Sequence, residues 1–276
     1  MIENGAGLNG SWLATVVLRT NGKYSNAQRL RDLKTILRQT AARNSGNGVI
    51  LFPGGWFSAK EAKASKLYPW VESSLMRLLG KNSNQIVVCL GVDGRLSNMI
   101  AKDQIAMALS KSGIEALARK FHEAPSEKGK VDCAKDHLSK EERRFRYFEL
   151  DGRKFFLCAC YDSFGIKHKG ISNFGMDVIL DLVHRFNKPR TPGSGAAYFA
   201  KLGLAGASRH WDCPAFGAVV FWNCDPKNWP SGVRWNQGNK DLKKWQYSDN
   251  PLQPATKFRL EIEEGSAFVS VYRLDP

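Results

Sequence analysis

Apolar residues recur along this chain with two periods, and the switches between them mark out strands and helices. Trp12 to Leu18 (WLATVVL) is a β-rich run that reads as a first strand. From Asn26 to Ala42 the apolar positions Leu30, Leu33, Ile36 and Leu37 stand at helical spacing among Arg and Lys, which predicts an amphipathic helix. Val49 to Phe52 (VILF) has the unbroken apolar character of a buried strand and is closed by Pro53-Gly54-Gly55. Val71 to Leu79 predicts a helix, and Gln85 to Val92 another buried strand. Ile105 to Leu109 and Ile114 to Phe121 read as a strand pair joined by Ser110-Lys111-Ser112-Gly113. Tyr147 to Leu150 and Phe155 to Cys160 read as a hairpin, with Asp151-Gly152 as its tight turn.

Beyond the cysteine, Met176 to His184 (MDVILDLVH) has helical spacing, and Ala196 to Gly203 predicts a second helix. Ala218 to Trp222 is a further buried strand, and Phe258 to Ile262 with Ala267 to Tyr272 closes the chain as a pair across Glu264-Gly265-Ser266. Alternating strands and helices with intervening hairpins indicate an α/β fold, layers of sheet with helices outside. With no internal repeat and no long linker, residues 1–276 read as a single domain carrying a short polar N-terminal arm, residues 1–11.

Composition narrows the class. The chain is 43% hydrophobic and 24% charged, enough apolar material for a sizeable core. No segment reaches the roughly 18 apolar residues of a membrane span, and the first residues lack a basic region followed by an apolar run. No membrane association and a reducing cytoplasm are therefore expected. The six cysteines (Cys89, Cys133, Cys158, Cys160, Cys213, Cys224) show neither a disulfide framework nor paired C-x-x-C spacing, so no metal is expected.

The net charge of +15 is compatible with nucleic acid, a membrane surface or acidic substrates. The basic residues are spread along the whole chain, which favours a merely cationic surface. The densest basic and aromatic cluster, Arg143-Arg144-Phe145-Arg146-Tyr147, is the candidate for nucleic-acid binding. A solvated hairpin edge is the favoured reading of it. Trp222, Trp229, Trp235 and Trp245 read as packing against a sheet edge or a partner, with an aromatic ligand lining as the alternative.

The chemistry concentrates between Gly113 and Gly165. Lys120 stands at the end of one strand, and the apolar strand FFLCA runs straight into Cys160. A thiol at one strand end and an ammonium at another is the layout of a nucleophile beside an oxyanion stabiliser. Cys158 reads as an inert core thiol, whereas Cys160 is followed by Tyr161-Asp162 and a polar turn from Ser163 to Gly165. Asp162 reads as a residue that orients this loop through backbone hydrogen bonds.

Phe52-Pro53, then Gly113 through Arg119-Lys120-Phe121-His122, Glu127, and finally Cys160-Tyr161-Asp162 follow one another in an order that resembles the nitrilase, or carbon–nitrogen hydrolase, superfamily. The resemblance implies a four-layer α-β-β-α sandwich, with homodimerisation through the layer that carries the helix after the cysteine. It implies a small-molecule substrate and a nonpeptide C–N bond (amide, ureido or nitrile) cleaved without a cofactor. In its terms Cys160 attacks to form a thioester, Lys120 and the Tyr161 N–H stabilise the tetrahedral oxyanion, and Glu127 is the supporting glutamate.

One position departs from that pattern. The family's general base is a glutamate directly after the strand-ending proline, and here Pro53 is followed by Gly54 and Gly55. Losing a general base costs typically about 10² to 10⁴ in rate, so turnover is expected to be impaired or to use a substituted base. His122, two residues beyond Lys120 on the same strand face, is the expected replacement, and Glu61 the second candidate. Gly54 and Gly55 read either as a turn or as an opened pocket for a different ligand, and Gly54→Glu is expected to raise the rate. The alternative reading is a catalytically inactive protein of this fold that binds a small ligand or a protein partner.

Overall fold

The computed structural model describes residues 11–95, 102–188, 190, 194–226, 229–235 and 251–274. Residues 1–10 of the polar arm and Trp245 lie outside the described residues.

Among the described residues, thirteen strands and five α-helical segments form in chain order. The first half contains β1 (Ser11–Thr20), α1 (Asn26–Arg43), β2 (Gly48–Leu51), β3 (Phe57–Ser58), α2 (Tyr68–Leu79), β4 (Ile86–Arg95), β5 (Lys102–Ser110) and β6 (Gly113–Arg119). The second contains β7 (Tyr147–Leu150), β8 (Arg153–Ala159), α3 (Asp162–His168), β9 (Val178–Asn187), α4 (Ala196–Tyr198), α5 (Ala205–Trp211), β10 (Ala215–Trp222), β11 (Gly232–Val233), β12 (Thr256–Ile262) and β13 (Gly265–Leu274). A π-helical turn, Phe199–Leu204, joins α4 to α5.

Local chemistry explains the clearest elements. Ser25 caps α1, and the Gln28 side chain reaches back to the Ser25 N–H at 2.9 Å, so two otherwise unpaired donors are satisfied. Leu33, Ile36 and Leu37 are buried as their spacing predicts. Asp32, on the same buried stripe, accepts the N–H groups of Glu263 (2.9 Å) and Glu264 (3.1 Å) and so anchors the β12–β13 hairpin.

The strands run in the order β6-β5-β4-β2-β1-β10-β9-β8-β7, with β13 antiparallel along β1 and β12 outside it. Three hydrophobic clusters divide this path into four layers. One lies between α1, α2 and the outer face of β1, β2, β4, β5 and β6, through Leu33, Ile36, Ile50, Leu75, Val88 and Met107. A second lies between the face of β8, β9 and β10 and the segments α3 to α5, through Phe156, Phe164, Ile179, Leu204 and Val219. The third joins the two sheet faces to each other through Val49, Leu51, Val87, Ala106, Ala118, Leu157, Leu180 and Ala218. This is the four-layer α-β-β-α sandwich.

One predicted element is corrected. The run from Met176 to His184 is not a helix: Val178–Asn187 is strand β9, parallel to β8 on one side and β10 on the other. Val178, Leu180 and Leu182 enter the layer between the sheets while Ile179 and Val183 face the helices. A strand buried on both faces shows an unbroken apolar run, which periodicity cannot separate from a buried helix.

Strand parity determines what reaches the site. On β6, Ala116 and Ala118 face the inter-sheet layer, so Lys120 follows them onto that face. By the same alternation Asp93 follows Val87 and Cys89, and His184 follows Leu180 and Leu182. β4, β6 and β9 deliver their carboxyl ends to one edge of the sandwich.

Candidate active site

Lys120 is fully buried, and its Nζ donates to Glu127 Oε2 at 2.5 Å and to Gln104 Oε1 at 2.9 Å. A lysine enters a protein interior only when its charge is paired and its donors are satisfied. Glu127 sits on the single turn Pro125–Glu127 and also accepts the Ala124 N–H at 3.1 Å, which fixes its carboxylate against the ammonium. Burial alone would push the Glu127 carboxyl up; the charge and hydrogen bond of Lys120 outweigh it and hold the group below its ordinary range. Burial likewise opposes the Lys120 cation, but the charges of Cys160 and Glu127 keep its pKa above the usual lysine value. The amine stays an ammonium.

Cys160 directly follows β8 and adopts a left-handed backbone conformation, φ 57°. For a non-glycine residue this is uncommon and turns the side chain out of the strand's alternation. The backbone is held there by the Cys160 N–H donating to Leu182 O at 3.1 Å and by the helix α3 that starts two residues later.

Asp162 ties the cysteine loop to the lysine strand. Its Oδ1 accepts the N–H groups of Phe121 (2.7 Å) and His122 (2.9 Å), while Oδ2 accepts from Ala159 N at 3.1 Å and Arg146 at 3.2 Å. Arg146 therefore belongs to the interior: it is 2% exposed and spans from Asp162 to the Arg119 carbonyl. Arg143, Arg144 and Phe145 of the same cluster are exposed.

The sequence reading missed two further groups. His184, at the inward face of β9, has its Nε2 3.1 Å from both carboxylate oxygens of Asp93 on β4. Its Nδ1 is buried and makes no hydrogen bond within the described structure, while the Cys160 thiol is near enough to act on the ring. Burial alone would raise the thiol pKa; the Lys120 charge, followed by the hydrogen bond and charge of His184, brings it below the ordinary cysteine value. Burial also disfavours the His184 cation, but the Asp93 carboxylate and the thiolate raise its pKa to about 10. Thiolate and imidazolium stabilise one another.

The imidazole fills the space that a side chain at position 54 would enter. A Cβ built on Gly54 would lie 2.8 Å from His184 Nδ1 and 2.5 Å from the Leu182 carbonyl oxygen. A Cβ on Gly55, which has φ +60°, would lie 2.9 Å from Asp93 Oδ2. Gly54 and Gly55 are thus a close backbone approach, reinforced by Gly54 N–H donating to Val183 O at 3.0 Å, and they do not open a pocket.

The two expected replacement bases differ in placement. His122 has its Nε2 3.3 Å from His168 Nδ1, and burial followed by the His168 and Lys169 charges lowers its pKa. Glu61 is exposed, on a left-handed turn. His122 instead contributes, with Phe121, Tyr161, His168, Lys169 and Tyr198, to a cavity of about 720 Å³ beside the loop. The Tyr161 ring stacks on Phe164 at 4.1 Å, which fixes the residue after the thiol.

The remaining thiols differ from Cys160. Burial pushes Cys89 and Cys158 far up, and Cys133 up to about 11 and Cys213 up to about 12. All six cysteines are unpaired. Among the described residues no cluster of three metal-ligating side chains occurs, and no helix is long and apolar enough to cross a membrane. Trp229 and Trp235 are buried in the cluster beneath α4 and α5 and line no cavity described above.

No protein-family model matches the sequence, and no curated protein is similar to it in sequence. Solved structures are similar in fold. An amidase from Nesterenkonia sp. matches with a TM-score of 0.59 at 12% identity, over 99% of this chain and 95% of the amidase. A carbon–nitrogen hydrolase from Helicobacter pylori G27 matches with a TM-score of 0.58 at 10% identity, over 95% of this chain and 89% of that one. A mutant of the Nesterenkonia sp. AN1 amidase, similar at 12% identity with a TM-score of 0.54 over 95% of this chain and 92% of its own, carries the product of Michael addition of acrylamide at its active-site cysteine. The chain therefore has the fold of the nitrilase superfamily.

Proposed function

We propose that the protein is a cysteine-dependent hydrolase of a nonpeptide carbon–nitrogen bond in a small molecule. The observation that carries this reading is the convergence of Cys160, Lys120 and Glu127 at one edge of the sandwich, with the ammonium 2.5 Å from the glutamate and its charge acting on the thiol.

In this reading the Cys160 thiolate attacks the carbonyl carbon of an amide or ureido group, or the carbon of a nitrile. Negative charge develops on the former carbonyl oxygen, where the Lys120 ammonium and the Tyr161 N–H meet it. Preorganised donors aimed at a developing oxyanion are the largest single contribution in many acyl transfers. On an amide or ureido group the C–N bond then breaks as the nitrogen gains a proton, ammonia or an amine departs, and a thioester remains on Cys160. On a nitrile the charge develops on nitrogen, which is protonated to give a thioimidate, and a first water adds to its carbon before ammonia leaves and the same thioester remains. Water then adds to the thioester, the C–S bond breaks, and the acid leaves with the thiolate restored. Glu127 keeps Lys120 in place and charged.

A reducing cytoplasm fits this reading, since all six thiols are free; homodimerisation, as the resemblance implies, is part of the same proposal. The alternative, an inactive protein of this fold that binds a ligand, is supported only by the glycine at position 54.

The test is ammonia release from a panel of aliphatic and aromatic amides, N-carbamoyl amines and nitriles. Wild-type protein is expected to release ammonia from at least one class, and Cys160→Ala from none. No release by wild type across the panel favours the ligand-binding alternative.

A further inference from the structure

The histidine at the end of β9 occupies the space in which the resemblance requires a glutamate. Nδ1 and Cε1 of His184 lie 2.8 and 3.0 Å from the point a Gly54 Cβ would take. Asp93 grips the opposite ring nitrogen through both oxygens at 3.1 Å, so the ring is oriented with Nδ1 toward the site. We infer that His184 is the acid and base of the reaction, entering from β9 in place of a carboxylate after Pro53, and that Asp93 is its positioning residue. The inference rests on the hydrolase reading above for the identity of the reaction, though not for the pairing of thiol and imidazole.

Three features favour a chemical role for the pair. Nδ1 is buried and makes no hydrogen bond within the described structure, an arrangement that leaves a donor unused unless the sulfur or a substrate atom meets it. Asp93 and His184 come from strands in opposite halves of the strand order, β4 and β9, and meet at the edge where Lys120 and Cys160 also end. Gly54, Gly55 and Gly91 pack backbone against backbone at this point, which is what admits the ring: any side chain at position 54 would displace it.

The proton path then closes. In the resting site the thiol proton resides on His184, giving a thiolate and an imidazolium bound to Asp93. After the thiolate has attacked, Nδ1–H gives its proton to the leaving nitrogen, and the C–N bond breaks. The neutral imidazole next takes a proton from the attacking water, whose hydroxide bonds to the thioester carbon. Collapse of that adduct expels the thiolate beside the restored imidazolium, and the carboxylic acid releases its own proton to solvent. No further reactant is needed.

An alkylation profile tests this without a known substrate. The rate of iodoacetamide addition to Cys160, read by peptide mass spectrometry, is measured from pH 5 to 10 for wild type, His184→Gln and Asp93→Asn. Wild type is expected to show a midpoint below that of an ordinary thiol, and His184→Gln to move it up by at least about one pH unit, or about tenfold in rate below it. Asp93→Asn is expected to move it in the same direction by less, and it carries the test alone if His184→Gln does not fold. Profiles of both variants that superpose on wild type overturn the inference. The hydrolase reading stands or falls separately, on ammonia release by wild type.

Discussion

A Cβ on Gly54 would lie 2.8 Å from Nδ1 of His184, so the glycine and the histidine are two halves of one substitution. Where the resemblance places a carboxylate after Pro53, the structure has an imidazole from another strand with the Gly54 backbone packed close against it.

The first prediction concerns that contact. The same Cβ would also meet the Leu182 carbonyl oxygen at 2.5 Å, and a backbone oxygen cannot swing aside. Gly54→Ala is therefore expected to destabilise the fold by about 1–3 kcal/mol, the usual range for overpacking. Gly54→Glu is expected to lower hydrolysis, against the expectation from sequence, because it evicts His184. Chemical denaturation and ammonia release check the two halves.

Asp162 is expected to matter for folding before it matters for rate. It accepts four hydrogen bonds, one of them from the buried Arg146. Removing one partner of a buried ion pair typically costs about 3–5 kcal/mol, since the other charge remains uncompensated. Asp162→Ala and Arg146→Met should each lower the denaturation midpoint by amounts of this order, and the double variant should lose less than their sum.

A third prediction contrasts two aspartates. Asp181, buried beside Cys158 on the helix-facing side of β9, is held well above the ordinary carboxylate range by burial and then by the Cys160 charge. Both influences favour the neutral carboxyl, so Asp181→Asn should preserve both stability and Cys160 alkylation. Asp93→Asn, which removes a charge that His184 uses, should not. Equal effects of the two changes on the alkylation profile would contradict these assignments.

Stability should also carry a pH signature from Glu264. Burial raises this carboxyl from about 4.5 in the unfolded chain to about 7, against the opposing charge of Arg29. A group whose folded pKa is raised binds its proton more tightly in the folded state, so its contribution is complete below pH 4.5 and is lost as pH rises through 7. Wild type should thus lose stability relative to Glu264→Gln between those values. Denaturation midpoints at pH 4.5 and 8 measure the slope, and parallel curves would remove Glu264 from the account.

Much of this arrangement was legible in the chain. The amphipathic spacing of Leu33, Ile36 and Leu37, the Asp151-Gly152 hairpin and the strand ending at Cys160 all report local rules, and each element forms where those rules place it. Lys120, Glu127 and Cys160 follow from motif order, and the structure brings them together.

His184 and Asp93 were hidden for physical reasons. Reading Met176 to His184 as a helix scattered the residues of β9 over a cylinder, whereas strand parity puts Leu180, Leu182 and His184 on one face. Ending the preceding strand at Val92 left Asp93 in a loop, although β4 continues to Arg95. Once both are strands, alternation places Asp93, and alternation to Leu182 with the irregularity of β9 opposite Val219 places His184, at the edge that holds Lys120. Their meeting is a tertiary fact that only the parallel register of the sheets supplies.

The most direct measurement is competitive modification at pH 6.5 with limiting acrylamide, followed by peptide mass spectrometry of all six cysteines. A thiol flanked by an ammonium and an imidazolium should react at Cys160 at least about tenfold faster than at any other cysteine. Labelling spread evenly over the accessible thiols, or concentrated at Cys133 or Cys224, would contradict the account.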